Sequence, residues 1–366
     1  MKLVVNKDVI LSGLQKVQSI VGNRTTLPVL YNILLKAEKD SLSLSATDLE
    51  VSVRTSVEAK VTRSGGTTLP ARRIFSIFRE LPMSEIEIDV DDKDMATIRC
   101  GASVFKIIGI SEDEFPPLPK FQGGKTFTIS QKTFKQMLAS TQYAASADES
   151  RYILNGVLMS FKSDKLTIVA TDGRRMAMYE QELEFPKESE GDWVVPSKAV
   201  NELMKTLSDD DKATIKIQFT ENQAAFEFGS MLIVTKLLEG TYPNFRQVIP
   251  TQSDERITME REALLETVNR VSLLVSDKSN SVTLSFGKNK LTVSAVAPEV
   301  GEATETMPVK YNGKEITVSF NPDFLIDPLK GLNAEEVSFE LSDELSPGVI
   351  RPNYPFLYVI MPMRVK

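Results

Sequence analysis

The sequence predicts an α+β protein assembled from three tandem copies of one module of about 125 residues. Three observations carry that prediction. Three different segment types each occur three times at this one spacing. The runs between them alternate apolar and polar residues with period 2, the mark of half-buried antiparallel strands. The remaining patterned stretches carry a single apolar stripe at helical spacing, so that helices pack on sheets in layers.

The first segment type is a strand, a polar break and an amphipathic helix: Leu3 to Leu11, Phe127 to Phe134 and Ile257 to Leu264. The second is an alternating strand, Leu42 to Asp48, Leu166 to Asp172 and Leu291 to Ala297, whose leading leucines stand 124 and 125 positions apart. The third is a strand running into a helix, Thr68 to Phe75, Val194 to Val200 and Val318 to Phe324. Here Pro70, Pro196 and Asn321 lie 126 and 125 apart. Further strands are expected at Glu85 to Val90, Ala213 to Phe219 and Val337 to Leu341. Helices are expected over 8–21, 71–81, 130–146, 197–207, 259–275 and 322–331, with Phe134, Met137, Leu138 and Thr141 forming the stripe of the third. Proline and polar residues mark joins near Pro116 to Gly124 and Pro243 to Gln252. The expected domains are 1–121, 125–250 and 254–366.

Composition narrows the chemistry. The chain has no histidine, which removes the commonest general base and metal ligand and every Ser-His or Cys-His nucleophile. Its single cysteine, Cys100, cannot form an internal disulfide and reads as a small semi-buried strand residue, which fits a reducing cytoplasm. The N-terminus meets charge too early for a secretory leader, and no stretch is apolar for the length of a membrane span. Asp209, Asp210 and Asp211 are consecutive, so their carboxylates cannot all converge on one ion, and they read as a solvated loop. Asp48 and Asp172 recur after threonine at equivalent repeat positions, but the third copy has Val296-Ala297 there, which points to a turn or cap role. Phosphate-cradling glycine motifs and recognition-helix modules are absent.

Net charge is −7, so any nucleic-acid contact must come from a local basic surface on an acidic body. The six expected helices sum to +3 and the remainder to −10, with the positive bias in the first two modules. Arg24, Arg72, Arg73, Arg79, Lys132, Lys135, Lys198 and Lys205 supply it. Taken singly these are ordinary solvated helix faces, and the asymmetry gains meaning only if all helices share one side.

Several segments carry a family resemblance that spans essentially the whole chain. Asn23-Arg24-Thr25-Thr26-Leu27-Pro28-Val29-Leu30 and Leu42 to Glu50 are similar to the first domain of the bacterial sliding clamps, the DNA polymerase III β subunits. Arg151 to Val157 and Val169 to Met176 resemble the second domain, Tyr242 to Arg246 the start of the third, and Tyr358 to Arg364 is the most specific signature. The resemblance implies a non-enzymatic processivity factor without cofactor or metal. Two copies join head to tail into a ring, sheets outside and helices lining a pore around double-stranded DNA. The implied partners are the polymerase III α subunit, the clamp-loader δ subunit, and other proteins with clamp-binding motifs, among them repair and translesion polymerases, mismatch-repair proteins and ligase. The contrasting reading, a carboxylate- or metal-dependent DNA-processing enzyme, rests only on the acidic features above.

Carried over residue by residue, the resemblance implies DNA-facing Arg24, Arg72, Arg73, Lys198 and Arg246. It implies a cleft for short hydrophobic peptides walled by Leu154, Thr171, Gly173, Arg174, Arg175, Met176, Pro243 and Val248, and by Leu345, Pro347, Val359, Met361, Pro362 and Met363. Methionines and small residues suit a groove that accepts many ligands, whereas Met361 and Met363 without the resemblance read as core filling. The implied ring joint sets Phe105 and Ile107 against Leu273 and Leu274, with Glu299 and Glu305 facing Arg73 or its neighbours. Arg174 stands where many relatives carry histidine and Ile153 where some carry tyrosine, which alters pocket shape and charge.

Overall fold

A computed structural model describes the chain except for residues 23–26, 83, 120, 122, 252, 276–279 and 365–366. Among the described residues there are six α-helices: α1 (Lys7–Val17), α2 (Ala71–Glu80), α3 (Gln131–Thr141), α4 (Ser197–Thr206), α5 (Arg261–Ser272) and α6 (Pro322–Gly331). They fall where the stripes predict; α2 and α4 end one residue early, and α1, α3 and α5 end several residues early. The chain after α1 and α3 tightens into 3₁₀ turns at Gln18–Ile20 and Gln142–Ala144, and α5 stops with Leu273 as its C-cap. Local chemistry sets their starts. The Asn6 side chain accepts from the Asp8 amide at 2.9 Å, and Asn321 accepts from Asp323 at 2.9 Å ahead of Pro322 at the first helical position. On α3, Phe134, Met137, Leu138 and Thr141 are fully buried, and the Thr141 hydroxyl is satisfied by donating to the Met137 carbonyl at 2.8 Å.

The chain divides into two compact units, 1–133 with 201–237, and 134–200 with 238–366. Among the described residues the first unit holds a five-stranded sheet in the order Lys60–Arg63, Lys2–Asn6, Glu85–Val90, Met95–Cys100, Ser103–Ile108. It also holds an eight-stranded sheet: Lys125–Ser130, Thr214–Phe219, Gln223–Phe228, Met231–Lys236, Val51–Glu58, Ser41–Thr47, Asn32–Glu38, Gly65–Pro70. The second unit holds another eight-stranded sheet: Gly191–Pro196, Gly156–Lys162, Lys165–Thr171, Arg175–Glu182, Phe356–Ile360, Gly348–Arg351, Glu336–Leu341, Glu255–Glu260. A four-stranded sheet, Gly301–Pro308, Lys290–Ala297, Val282–Gly287, Ile316–Phe320, completes it. Every pairing is antiparallel. The middle repeat therefore gives four strands to each unit, because hydrogen bonding runs continuously across the join between repeats.

The two joins are copies of each other down to the register. In the first unit Leu232 lies opposite Arg54, and in the second Leu357 lies opposite Met178. Arg54 and Met178 are equivalent repeat positions, 124 apart. The backbone bond that closes each joint also repeats, from Lys236 N to the Glu50 carbonyl at 3.1 Å and from Met361 N to the Arg174 carbonyl at 2.9 Å. Among the described residues two edges have no such neighbour: Ser103–Ile108, the third copy of the strands at 231–236 and 356–360, and Gly301–Pro308, the third copy of those at 51–58 and 175–182.

Candidate functional site

The turns after the alternating strands are built by short side chains. The Asp172 carboxylate accepts from the amides of Arg174 (2.8 Å) and Arg175 (3.0 Å), while the Thr171 hydroxyl accepts from Gly173 at 3.0 Å and donates to the Arg175 carbonyl at 2.6 Å. Thr47 and Asp48 make the same four kinds of bond with Leu49, Glu50 and Val51. These aspartates are turn-formers, as their recurrence predicts. Asp209 to Asp211 are exposed, and Asp211 pairs with Lys132 at 2.8 Å. Cys100 is buried on its strand and lies 2.9 Å from the Ser84 hydroxyl.

The second eight-stranded sheet presents two different faces. On one, Tyr358 packs against Tyr143, its hydroxyl donating to the Phe324 carbonyl of α6 at 2.7 Å. On the other, Val169, Met176, Val349, Leu357 and Val359 form one apolar cluster with Leu158 and Val194. Ile153, Leu238, Tyr242, Phe245 and Ile249 lie against that cluster, so the segment 238–249 straps this face. Tyr242 is anchored through its hydroxyl to the Val169 carbonyl at 3.4 Å, and burial pushes its phenol well above the ordinary value.

Most of the predicted groove residues gather around this cluster. Met176 and Val359 lie opposite each other in adjacent strands, and Val359 pairs onward with Val349. Met176 and Val359 belong to the cluster, and these and Leu154 are each nine per cent exposed or less. Gly173, Arg174 and Pro243 are exposed, and Thr171, Pro347 and Pro362 half-buried. Val248, Leu345, Met361 and Met363 remain exposed at 48, 64, 42 and 39 per cent. The core-filling reading of the two methionines is thereby set aside: they are apolar side chains held in solvent. Gly173 adopts φ +84°, which glycine takes without strain, and a Cβ there meets the Arg151 guanidinium at 3.0 Å. Sequence reasoning missed Tyr152, 59 per cent exposed, and the anchoring roles of Tyr242 and Phe245, although the Tyr-Pro-Asn-Phe run was visible.

Two expected residues sit differently. Arg175 is not an exposed wall: its side chain is 10 per cent exposed and bonds Asp172 (3.1 Å), Asp327 of α6 (2.6 Å) and the Tyr143 carbonyl (2.7 Å). Its guanidinium also lies 4.4 Å from the centre of the Phe324 ring. Arg246, expected to face DNA, belongs to the strap. It reaches Glu180 at 3.5 Å, stacks on Phe245 at 5.2 Å, and with Leu158, Val194, Tyr242 and Pro243 lines a hollow of about 800 Å³ on the face away from α6. Its neighbours in sequence are pulled onto the apolar cluster, and the arginine follows them.

The other basic candidates do lie on helices. Arg72 and Arg73 are exposed in the first turn of α2, and Lys198 in the first turn of α4; neither turn contains an acidic residue. Cations there oppose the helix dipole, an arrangement that an anion close by offsets. Arg24 lies outside the described residues. At the expected ring joint Phe105 is exposed but Ile107 is half-buried, and the more exposed apolar groups on that strand are Val104 and Ile108, at 56 and 73 per cent. Leu273 is 80 per cent exposed and Leu274 half-buried. Glu299 is exposed. Glu305 does not stand free for Arg73. It accepts from Arg270 of α5 at 2.7 and 2.9 Å and from Thr267 at 3.2 Å, and the guanidinium holds its carboxyl below the usual range.

Three helix-backed repeats, joined in a repeated register by continuous antiparallel sheets, define a scaffold of the DNA-clamp class. The chain belongs to the bacterial β sliding clamp family. Its residues 1–119, 128–244 and 246–364 match the N-terminal, central and C-terminal domains of the DNA polymerase III beta subunit. It is 39% identical over 365 residues to the beta sliding clamp of Chlamydia muridarum, covering 100% of this chain and 99% of that one. It is 33% identical to that of Escherichia coli K12, covering all of both chains. Solved structures of the DNA polymerase III subunit beta from Bartonella birtlesii and Pseudomonas aeruginosa, both bound to griselimycin, cover both chains fully at 33% and 31% identity, with TM-scores of 0.95 and 0.94. Among the described residues no helix is long and apolar enough to cross a membrane.

Proposed function

We propose that this chain is a non-catalytic sliding clamp: two copies close into a ring around duplex DNA in the bacterial cytoplasm and tether the replicative polymerase and other partners. The observation that carries the ring is the pair of open edges. The strand at 103–108 is the remaining copy of two strands that are already paired, and 301–308 is the remaining copy of their partners. Continuing the repeated register across two molecules puts Val104 opposite Thr304, Phe105 opposite Ala303 and Lys106 opposite Glu302, the last a pair of opposite charges. An edge of this kind invites pairing, and a head-to-tail joint closes when its rotation permits.

Three modules in each copy make a ring of six. Arg72, Arg73 and Lys198 face the duplex, and their contacts go to phosphates and are independent of sequence. With so few cations facing the duplex, on a chain of net charge −7, retention is topological and sliding stays easy. The groove around Met176, Val359, Met361 and Met363 takes a short hydrophobic segment of each partner, and its exposed, adaptable methionines support the reading that several partners share it.

The test is retention. Loaded on a nicked circular duplex, the protein co-elutes with the DNA through a sizing column and is released when the circle is linearised. A monomer at micromolar concentration, or retention unchanged after linearisation, overturns the proposal.

A further inference from the structure

Equivalent repeat positions carry the same kind of latch at both joints within the chain, and only one latch runs through the groove. Glu202 of α4 and Asp327 of α6 are 125 positions apart, and Ser19 and Tyr143, each in the 3₁₀ turn after the first helix of its repeat, are 124 apart. In the first unit Glu202 is buried and accepts directly from the Ser19 hydroxyl and from Lys205 at 2.8 Å. In the second unit Asp327 does not reach Tyr143 itself. Arg175 stands between them, donating to Asp327 at 2.6 Å and to the Tyr143 carbonyl at 2.7 Å. The residue equivalent to Arg175 in the first repeat is Val51, fully buried, and in the third, by strand register, it is Gly301. The arginine is thus peculiar to the repeat whose turn borders the apolar groove.

We propose that Arg175 is a positioning residue for the peptide groove: its side chain does not touch the bound segment but fixes the Thr171–Met176 turn against α6 through Asp327. This rests on the groove reading above. The turn supplies Thr171, Gly173, Arg174 and Met176 to the site, and Asp172 holds the same guanidinium at 3.1 Å. Releasing the guanidinium lets the turn and the Met361 amide bonded to it shift together, since the Arg174 carbonyl accepts from that amide. The groove's shape and the seating of α6 are one mechanical unit.

Griselimycin, bound by two of the solved relatives, serves as the probe in calorimetry on the full-length protein, with melting curves recorded for each variant. Arg175→Met and Asp327→Ala are each expected to weaken binding roughly tenfold, the scale of one lost charged hydrogen bond. The double variant is expected to bind no worse than Arg175→Met alone, because both changes remove the same tie. Arg175→Lys, which keeps the charge but not the fork, falls between. Wild-type binding by Asp327→Ala, or additive losses, overturns the positioning role and leaves Arg175 as a direct contact or a bystander. Met361→Ala with Met363→Ala separates the two readings. If that pair leaves griselimycin binding unchanged, the groove itself is wrong. If it weakens binding while the Asp327 variant does not, only the positioning proposal falls.

Discussion

Leu49 is the residue whose local conformation most plainly conflicts with its chemistry. It has φ +78° at the repeat position where Gly173 has +84°, and it is 48 per cent exposed. A branched side chain in the left-handed region costs on the order of 1 kcal/mol or more, and little packing offsets it here. Leu49→Asn is expected to raise stability by about 0.5–1 kcal/mol, read as a higher denaturant midpoint at unchanged slope. An unchanged or lower midpoint means that the leucine is held by contacts stronger than its strain. Buried tyrosines make a second prediction at this scale. Burial raises the phenols of Tyr143, Tyr242 and Tyr358, and that of Tyr354 to about 12. The neutral form is favoured in the folded state, so its stabilisation is complete below the unfolded pKa of about 10 and declines as pH rises through the folded value. Spectrophotometric titration is expected to show these phenols ionising late and together with unfolding. A smooth titration near pH 10, with fold retained, contradicts their burial.

The edge strand Ser103–Ile108 carries the consequence that matters most at the scale of elements. Most strands bury their apolar residues, against helices or beneath the 238–249 strap, whereas this one holds Val104, Phe105 and Ile108 in solvent. Natural edges are commonly blunted by charge or proline, and here Lys106 is the only charge on the strand. Phe105→Asp or Ile108→Asp is expected to convert a dimer to a monomer in sedimentation at micromolar concentration, since a carboxylate buried at such a joint has no partner. The melting temperature of the monomer itself should barely change, because both positions are already exposed. A dimer that survives both substitutions puts the joint elsewhere. The helix C-termini differ from expectation only locally: α1, α3 and α5 are shorter than their stripes predict because the last turns tighten or cap.

For the whole molecule, the charge distribution explains how an acidic protein serves a polyanion. On the proposed function, a closed ring needs no strong grip, and a few cations in helix first turns suffice to centre the duplex without arresting it. Those first turns were legible as sequence, because arginine and lysine follow the strand–helix boundary at Pro70 and Pro196. The misplacement of Arg246 shows where linear reading stops. It lies in a polar, proline-marked join, and nothing in its neighbours says that Tyr242 and Phe245 drag the segment across the sheet's apolar face. Arg175 is similar. Its place in the Thr-Asp-Gly-Arg-Arg turn was visible, but its partner Asp327 lies 152 positions away on α6.

The sequence by itself determined the repeat, the alternation of strands, the helix stripes, the turn role of Asp48 and Asp172, and the absence of histidine chemistry, because each is a matter of local spacing or composition. Tertiary structure decided which strands pair across the joins, which edges stay open, which face the strap covers and which way Arg175 points. Those choices depend on hydrogen bonds and packing between segments far apart in the chain, and no local pattern encodes them.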